Sequence, residues 1–105
     1  MLPLKNRLPR QEFRVRGYRT VTTPFFSLKT KENEAGVNRF AVVVGKSVDK
    51  RASQRNFWER QAKTQFLRAP NFNRDFILTI FPRIASLSRQ QFGEEMKKVL
   101  EKFIH

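Results

Sequence analysis

Residues 46–68 constrain the fold of this chain most, because they combine an apolar stripe with a dense set of cations. The segment holds seven Lys or Arg and only two acids. Trp58, Ala62 and Phe66 recur at a spacing of four residues, which is typical of one buried helix face. The sequence therefore predicts a loop and then a helix that packs one face on a core and turns basic side chains to solvent.

The polar side of this helix has the side chains of a ligand surface. Ser53 is the predicted N-cap, since its hydroxyl suits the free amides of a first turn. Asn56, Arg60 and Lys63 share a second face, with Arg55 at its margin. Such a row of donors suits phosphate oxygens, 2'-hydroxyls and base edges. A solvated basic face without a ligand is the alternative interpretation.

The overall charge also indicates a polyanionic partner. The 105 residues suit a single domain, residues 1–105, and 22 Lys and Arg against 9 Asp and Glu give a formal charge of +13. Nucleic acid fits better than a membrane, because no apolar run approaches the roughly 20 residues of a spanning helix. Since the chain has no cysteine and no apolar segment near its start, we expect no secretory signal and a cytoplasmic location.

Side-chain catalysis has little support in this sequence. The one histidine is His105, the last residue, and cysteine is absent. Ser-His and Cys-His pairs and His-rich metal sites therefore cannot be assembled from this chain. The four glycines form no phosphate-binding loop. If the protein serves a reaction, another molecule is expected to supply the reacting groups.

The hydrophobic pattern predicts an α/β sandwich in the order α-β-β-α-β-α. A short helix is predicted for residues 10–15, and strands for residues 21–30, 38–44 and 75–81. Pro24 places the first strand at an edge or a bulge, because it has no amide to donate. The apolar run 38–44 is expected to be the central strand, buried on both faces.

A closing helix is predicted after Ser88, which forms a capping-box pattern with Gln91. Its inward residues would be Phe92, Met96, Val99, Leu100 and Phe103. The predicted core phenylalanines are Phe40, Phe76, Phe81, Phe92 and Phe103.

Three other phenylalanines lie near the basic N-terminal segment and are candidates to stack on single-stranded bases: Phe13, Phe25 and Phe26. Phe25 and Phe26 point to opposite faces of a strand, so at most one of them can do so.

Four segments together carry a family resemblance. They are LKNRLPRQEF near the start, NRFAVVVGKSVDKRASQRN in the middle, DFILTIFPR late in the chain, and the closing helix. The middle segment contains an Arg-Asn-x-x-x-Arg pattern, Arg55, Asn56 and Arg60, after Lys50 and Arg51. Along nearly its full length the chain resembles the protein subunit of bacterial ribonuclease P.

This resemblance implies a specific fold and role. The fold would be ribosomal S5 domain 2-like, with a left-handed βαβ crossover. The protein would assist a catalytic ribonuclease P RNA, whose Mg²⁺ ions support hydrolysis of precursor tRNA and release of the 5' leader. The leader would bind in a cleft between the sheet and the N-terminal helix, while the Arg-Asn helix and adjoining loop would face the catalytic RNA.

The resemblance also assigns residues. The expected contacts to the catalytic RNA are Arg55, Asn56, Arg60, Lys63, Lys46, Lys50 and Arg51. The expected contacts to the leader are Phe13, Arg7, Arg10, Arg14 and Phe26, although which of Phe25 and Phe26 faces the cleft stays open. Phe57 and Glu59 stand where the family commonly has basic residues, and Lys29 where it often has an aromatic residue.

Two other classes remain as alternatives. One is a structural RNA-binding protein, such as a small ribosomal protein. The other is a DNA-binding module that would use residues 46–68 as a recognition helix, although no helix-turn-helix pair is evident.

Overall fold

The computed structural model describes residues 6–9, 13, 17–71 and 73–102. Its elements are β1 (Arg19–Thr22), β2 (Phe26–Glu32), β3 (Arg39–Val44), α1 (Ala52–Arg68), β4 (Arg74–Ile80), a 3₁₀ turn (Pro82–Ser86) and α2 (Arg89–Glu101). The predicted α/β class is confirmed. The predicted helix at residues 10–15 lies outside the described residues, apart from Phe13.

The four strands form one mixed sheet in the order β1-β2-β4-β3. β1, β2 and β4 are antiparallel neighbours, whereas β3 runs parallel to β4. Parallel neighbours need a crossover connection, and α1 supplies it between β3 and β4. The predicted βαβ unit is therefore present, and the left-handed sense of its crossover stays a prediction.

The predicted strand over residues 21–30 is wrong in extent, because it is two strands joined by a turn. Pro24 lies in that turn, where its missing amide interrupts no ladder. The Thr23 hydroxyl accepts hydrogen bonds from the amides of Phe25 and Phe26, both at 3.1 Å. Such local side-chain bonds favour a turn over a continuous strand.

The prediction that residues 38–44 form the central strand is also wrong. β4 is paired on both sides, and its Phe76, Ile77 and Leu78 are buried. β3 is an edge strand of the described sheet, and Val43 is 39% exposed. The N-terminal segment partly covers this edge, since the amide of Leu8 donates to the carbonyl of Phe40 at 2.9 Å.

The core lies between one face of the sheet and the two helices. The predicted stripe of Trp58, Ala62 and Phe66 is buried, as confirmed in α1. The Phe66 ring stacks on Phe40 with 4.3 Å between centroids. α2 buries Phe92, Met96, Val99 and Leu100, as predicted. Phe81 is only half-buried, and Phe103 lies outside the described residues.

The two helices begin differently. α2 starts with the predicted capping box: the Gln91 amide donates to the Ser88 hydroxyl at 3.1 Å, and the Ser88 amide donates to the Gln91 side chain at 2.8 Å. α1 begins earlier than predicted, with Arg51 rather than Ser53 at the N-cap position and no side-chain cap. The preceding Asp49 fixes this start instead, because its carboxylate accepts from the Arg51 amide at 2.8 Å.

A buried ion pair fastens β3 to β4. Asp75 is fully buried, and its two carboxylate oxygens accept from Nε and Nη2 of Arg39, each at 2.8 Å. Asn33 adds a third bond to the same carboxylate at 2.8 Å. A buried charge of this kind is tolerated because it is both paired and hydrogen-bonded.

Replacing Asp75 is therefore expected to destabilise the fold. Asp75→Asn leaves Arg39 without its counter-charge, and we expect a loss of about 2–3 kcal/mol in the free energy of unfolding, because Arg39 keeps some solvent access. Glu32→Gln is the matched control, since Glu32 is 84% exposed and lies 3.6 Å from Arg74. Urea denaturation should show a loss within about 0.5 kcal/mol for the control. Equal losses in the two variants would contradict this role of Asp75.

Candidate nucleic-acid interface

The turn after β3 and the first three turns of α1 carry the seven side chains predicted to contact RNA. We call them the Arg-Asn surface: Lys46, Lys50, Arg51, Arg55, Asn56, Arg60 and Lys63. All seven side chains are exposed or half-buried, so none of them is part of the buried core. Because α1 packs its opposite side on the sheet, this surface is fixed on a rigid element.

Arg51 is held by its neighbour Asp49. Its Nη2 lies 3.0 Å from one carboxylate oxygen, and its Nε donates to the other at 3.2 Å. These hydrogen bonds lower the pKa of Asp49 and raise that of Arg51. Both groups are therefore charged at neutral pH, and the Arg51 guanidinium, with its side chain 71% exposed, is oriented before any ligand arrives.

Arg55 also has an internal role that the sequence did not reveal. Its Nη1 donates to the backbone carbonyls of Asp49 at 3.0 Å and Lys50 at 2.9 Å. The side chain thus fastens the loop to the first turns of α1. Because carbonyls have no sequence signature, the pattern of cations alone could not distinguish this tether from a free ligand donor.

Lys63 is paired within the helix. Its Nζ lies 2.8 Å from Oε1 of Glu59, one of the departures from the family pattern. By contrast, Lys46, Lys50 and Arg60 are exposed and have no ion pair within the described residues. These three cations and the exposed amide of Asn56 are the donors of the Arg-Asn surface that are most available to a ligand.

A second surface lies on the face of the sheet that points away from α1 and α2. Side chains alternate along a strand, and Leu28 and Leu78 point into the helical core. Their neighbours point away from the helices and form what we call the open sheet face: Thr20, Ser27, Lys29, Lys31, Arg39, Ile77 and Thr79. The face is basic along β2, and Ile77 at its centre is buried beneath the surrounding side chains, with 6% exposure.

The prediction that Phe26 contacts the leader is wrong. Its side chain is fully buried and meets Phe92 edge-to-face, with 5.9 Å between centroids. Phe25 lies in the turn before β2, is half-buried and packs against the same core. β2 begins at Phe26, and Phe26 and Leu28 both face the helical core because side chains alternate along the strand.

The other predicted leader contacts lie in different parts of the chain. Arg7 is exposed and forms a parallel bridge with Phe40 at the outer edge of β3. Phe13 is half-buried. Arg10 and Arg14 lie outside the described residues. The leader-binding role of these four residues stays a prediction.

Tyr18 is a candidate that the sequence reasoning missed. It precedes β1 and lies against Lys31, whose Nζ is 5.5 Å from the centre of its ring. Since Arg19 pairs with Thr30, antiparallel register places Tyr18 opposite Lys31, on the open sheet face. The alternation Tyr18, Thr20, Thr22 could have revealed this if β1 had been predicted to begin at Arg19.

The fold and these surfaces define a class of protein: a small, strongly basic α/β domain with cationic surfaces on both sides of its sheet. Within the described residues, no group of three His, Cys, Asp or Glu side chains is placed to hold a metal ion. No helix in that part of the chain is both long enough and apolar enough to cross a bilayer.

Comparison with known proteins identifies the family. The sequence model of the ribonuclease P family matches residues 4–104, and the chain belongs to this family. The fold is similar to the RNase P protein of Staphylococcus aureus, with 20% identity over 80% of this chain and 79% of that one, at a TM-score of 0.72. It is also similar to the RNase P protein of Thermotoga maritima, with 16% identity over 81% of this chain and 83% of that one, at a TM-score of 0.70. No curated protein sequence matches significantly.

The internal role of Arg55 leads to a prediction that separates it from Arg60. Arg55→Ala removes two hydrogen bonds to loop carbonyls and is expected to lower the free energy of unfolding by about 1–2 kcal/mol. It should also speed amide exchange in the 49–51 loop, measured by hydrogen exchange with mass spectrometry. Arg60→Ala is the matched control, because its exposed side chain should change stability by less than about 0.5 kcal/mol. Unchanged exchange in Arg55→Ala would contradict the tether.

Proposed function

We propose that this ribonuclease P protein binds the ribonuclease P RNA through the Arg-Asn surface and the 5' leader of precursor tRNA on the open sheet face. In this role it assists removal of the leader in the cytoplasm. The RNA carries the endonucleolytic reaction, and the Mg²⁺ that the reaction needs is held mainly by the RNA. The observation that carries the proposal is the row of exposed donors Lys46, Lys50, Asn56 and Arg60 on a fixed loop and helix.

The Arg-Asn surface suits a folded RNA because its donors are already oriented. Arg55 holds the loop, Asp49 holds Arg51, and the buried stripe of α1 holds the helix against the sheet. Phosphates that meet such donors release condensed counterions, which favours binding most at low salt. Positive charge at the RNA surface also replaces some of the Mg²⁺ that an RNA of this kind would otherwise need to offset phosphate repulsion.

The open sheet face suits a single strand. The Tyr18 ring can stack on an unpaired base. Lys29 and Lys31 lie on the neighbouring strand, β2, where they can contact the phosphates. The buried Arg39–Asp75 pair fixes the floor of this face. A leader that is bound here would distinguish precursor tRNA from mature tRNA, which has no leader.

The first test is cleavage of precursor tRNA at low Mg²⁺ by a bacterial ribonuclease P RNA, with and without the protein. We expect strong protein-dependent cleavage. Arg60→Ala should weaken binding to the RNA by about 1–3 kcal/mol, because it removes charge-assisted bonds without unfolding the chain. A folded protein that binds RNA but stimulates neither major structural type of ribonuclease P RNA would instead support a structural RNA-binding role.

Tyr18 provides a separate test of leader binding. Tyr18→Ala should raise KM for a precursor with a leader by about fivefold or more, since one stacked base contributes about 1–3 kcal/mol. The affinity for leaderless tRNA should not change. Tyr18→Phe is the matched control, because it keeps the ring and should behave as wild type. Equal weakening of both substrates by Tyr18→Ala would show that Tyr18 supports the fold and not the leader.

A further inference from the structure

A polar groove lies between the two helices, away from the seven residues of the Arg-Asn surface. It encloses about 590 Å³. We call it the interhelix groove, and its main lining residues are Gln61, Gln65 and Arg68 of α1 and Arg89, Gln90 and Lys97 of α2. A further section of about 370 Å³ continues it towards Pro70 and Leu100.

The main section of the groove is lined chiefly by cations and amides, whereas the further section is more apolar. Arg68, Arg89 and Lys97 are exposed, and none has an ion pair within the described residues. Glu94 is the one acid in the main section. Gln61, Gln65 and Gln90 add side-chain amides, each able to donate and to accept. This chemistry suits a sugar-phosphate chain, since arginine fits phosphate and amides fit 2'-hydroxyls and base edges.

Gly93 lets the Gln65 side chain approach α2 closely. A Cβ built at this position would lie 3.1 Å from Nε2 of Gln65, which is closer than ordinary contact. The Gln65 amide therefore lies close against α2 at Gly93, and a side chain at this position would require that amide to shift by a few tenths of an ångström. A glycine inside a helix costs about 1 kcal/mol relative to alanine. α2 thus has a residue of low helix propensity at the position that faces the Gln65 amide.

The position of the groove indicates which RNA would occupy it. Arg60, Thr64 and Arg68 follow one another at four-residue spacing, so one side of α1 leads from the Arg-Asn surface into the groove. The open sheet face lies beyond the sheet, on the side away from both helices. An RNA bound at Arg60 can thus continue into the groove, whereas a strand on the open sheet face cannot reach it without passing around the sheet.

We propose that the interhelix groove is a second RNA-contact surface, which binds a sugar-phosphate segment of the ribonuclease P RNA. This inference rests on the proposed function. In it, Arg68, Arg89 and Lys97 meet phosphates, and the glutamine amides meet ribose or base edges. The groove and the Arg-Asn surface together then form a continuous contact along the outer side of α1.

Charge reversal at Arg89 tests this inference directly. Arg89→Glu places an acid in the first turn of α2, where it favours the helix, so the fold should be retained. Arg83→Glu is the matched control, because this substitution makes the same change in net charge at an exposed position on the 3₁₀ turn. Binding of wild-type protein and both variants to ribonuclease P RNA is measured across a salt series, with circular dichroism to verify folding.

We expect Arg89→Glu to weaken binding about tenfold more than Arg83→Glu and to reduce the salt dependence further. The ratio of affinities for precursor and leaderless tRNA should stay as in wild type. Equal weakening by the two variants would overturn the groove assignment while wild-type binding still supports the proposed function. Absence of RNA binding by the wild-type protein would overturn the proposed function itself.

Crosslinking identifies the RNA in the groove. The chain has no cysteine, so Gln90→Cys provides a single attachment point for a photoreactive label, and Ser86→Cys provides a control outside the groove. In the complete complex with precursor tRNA, we expect crosslinks from Gln90→Cys to defined nucleotides of the ribonuclease P RNA, and few from Ser86→Cys. Crosslinks to the tRNA leader alone, or equal yields from the two positions, would overturn the inference.

Discussion

The stacking of Phe66 between the helix and the sheet is the contact on which the rest of the structure depends. The centroid of its ring lies 4.3 Å from the ring centroid of Phe40 on β3 and 5.7 Å from that of Phe76 on β4. One side chain of α1 therefore joins both parallel strands of the βαβ unit. Aromatic packing of this kind contributes beyond the area that it buries and permits few alternative helix positions. Because α1 cannot roll on the sheet, the donors on its outer side keep a fixed direction.

Acidic residues organise the cations of this basic chain. Asp75 orients Arg39 on the sheet, Asp49 orients Arg51 in the loop, and Glu59 pairs with Lys63 on α1. The first pair is buried and supports the fold, whereas the other two lie at the surface, where ion pairs contribute little stability. Their effect is to restrict side-chain conformations near a ligand, which lowers the entropy that binding must fix. Glu59, by contrast, places a negative charge beside Lys63 and lowers the positive charge of the Arg-Asn surface at that point.

The sequence predicted the periodic elements well and the local irregularities poorly. The four-residue spacing of Trp58, Ala62 and Phe66 identified α1, and the Ser88–Gln91 pattern identified the start of α2, because both signals are local. An apolar run such as residues 38–44 reads the same in an edge strand as in a central one, since pairing partners are distant in the chain. Pro24 divides one predicted strand into two. The sequence alone does not decide which of Phe25 and Phe26 faces inward, and Tyr18 is missed because β1 begins at Arg19, before the predicted start at residue 21.

The sheet separates the two tasks in the proposed function. Donors on α1 and in the interhelix groove lie outside the helical layer, whereas Tyr18 and the lysines of β2 lie on the opposite face of the sheet. A protein of about 13 Å radius of gyration can therefore contact a large RNA and a short single strand without competition between them. The two sides remain coupled through the sheet itself, because Phe76 faces the helices while its neighbours Asp75 and Ile77 face the other way. Substitutions in β4 should consequently disturb both surfaces together, whereas substitutions on the outer side of α1 should disturb only one.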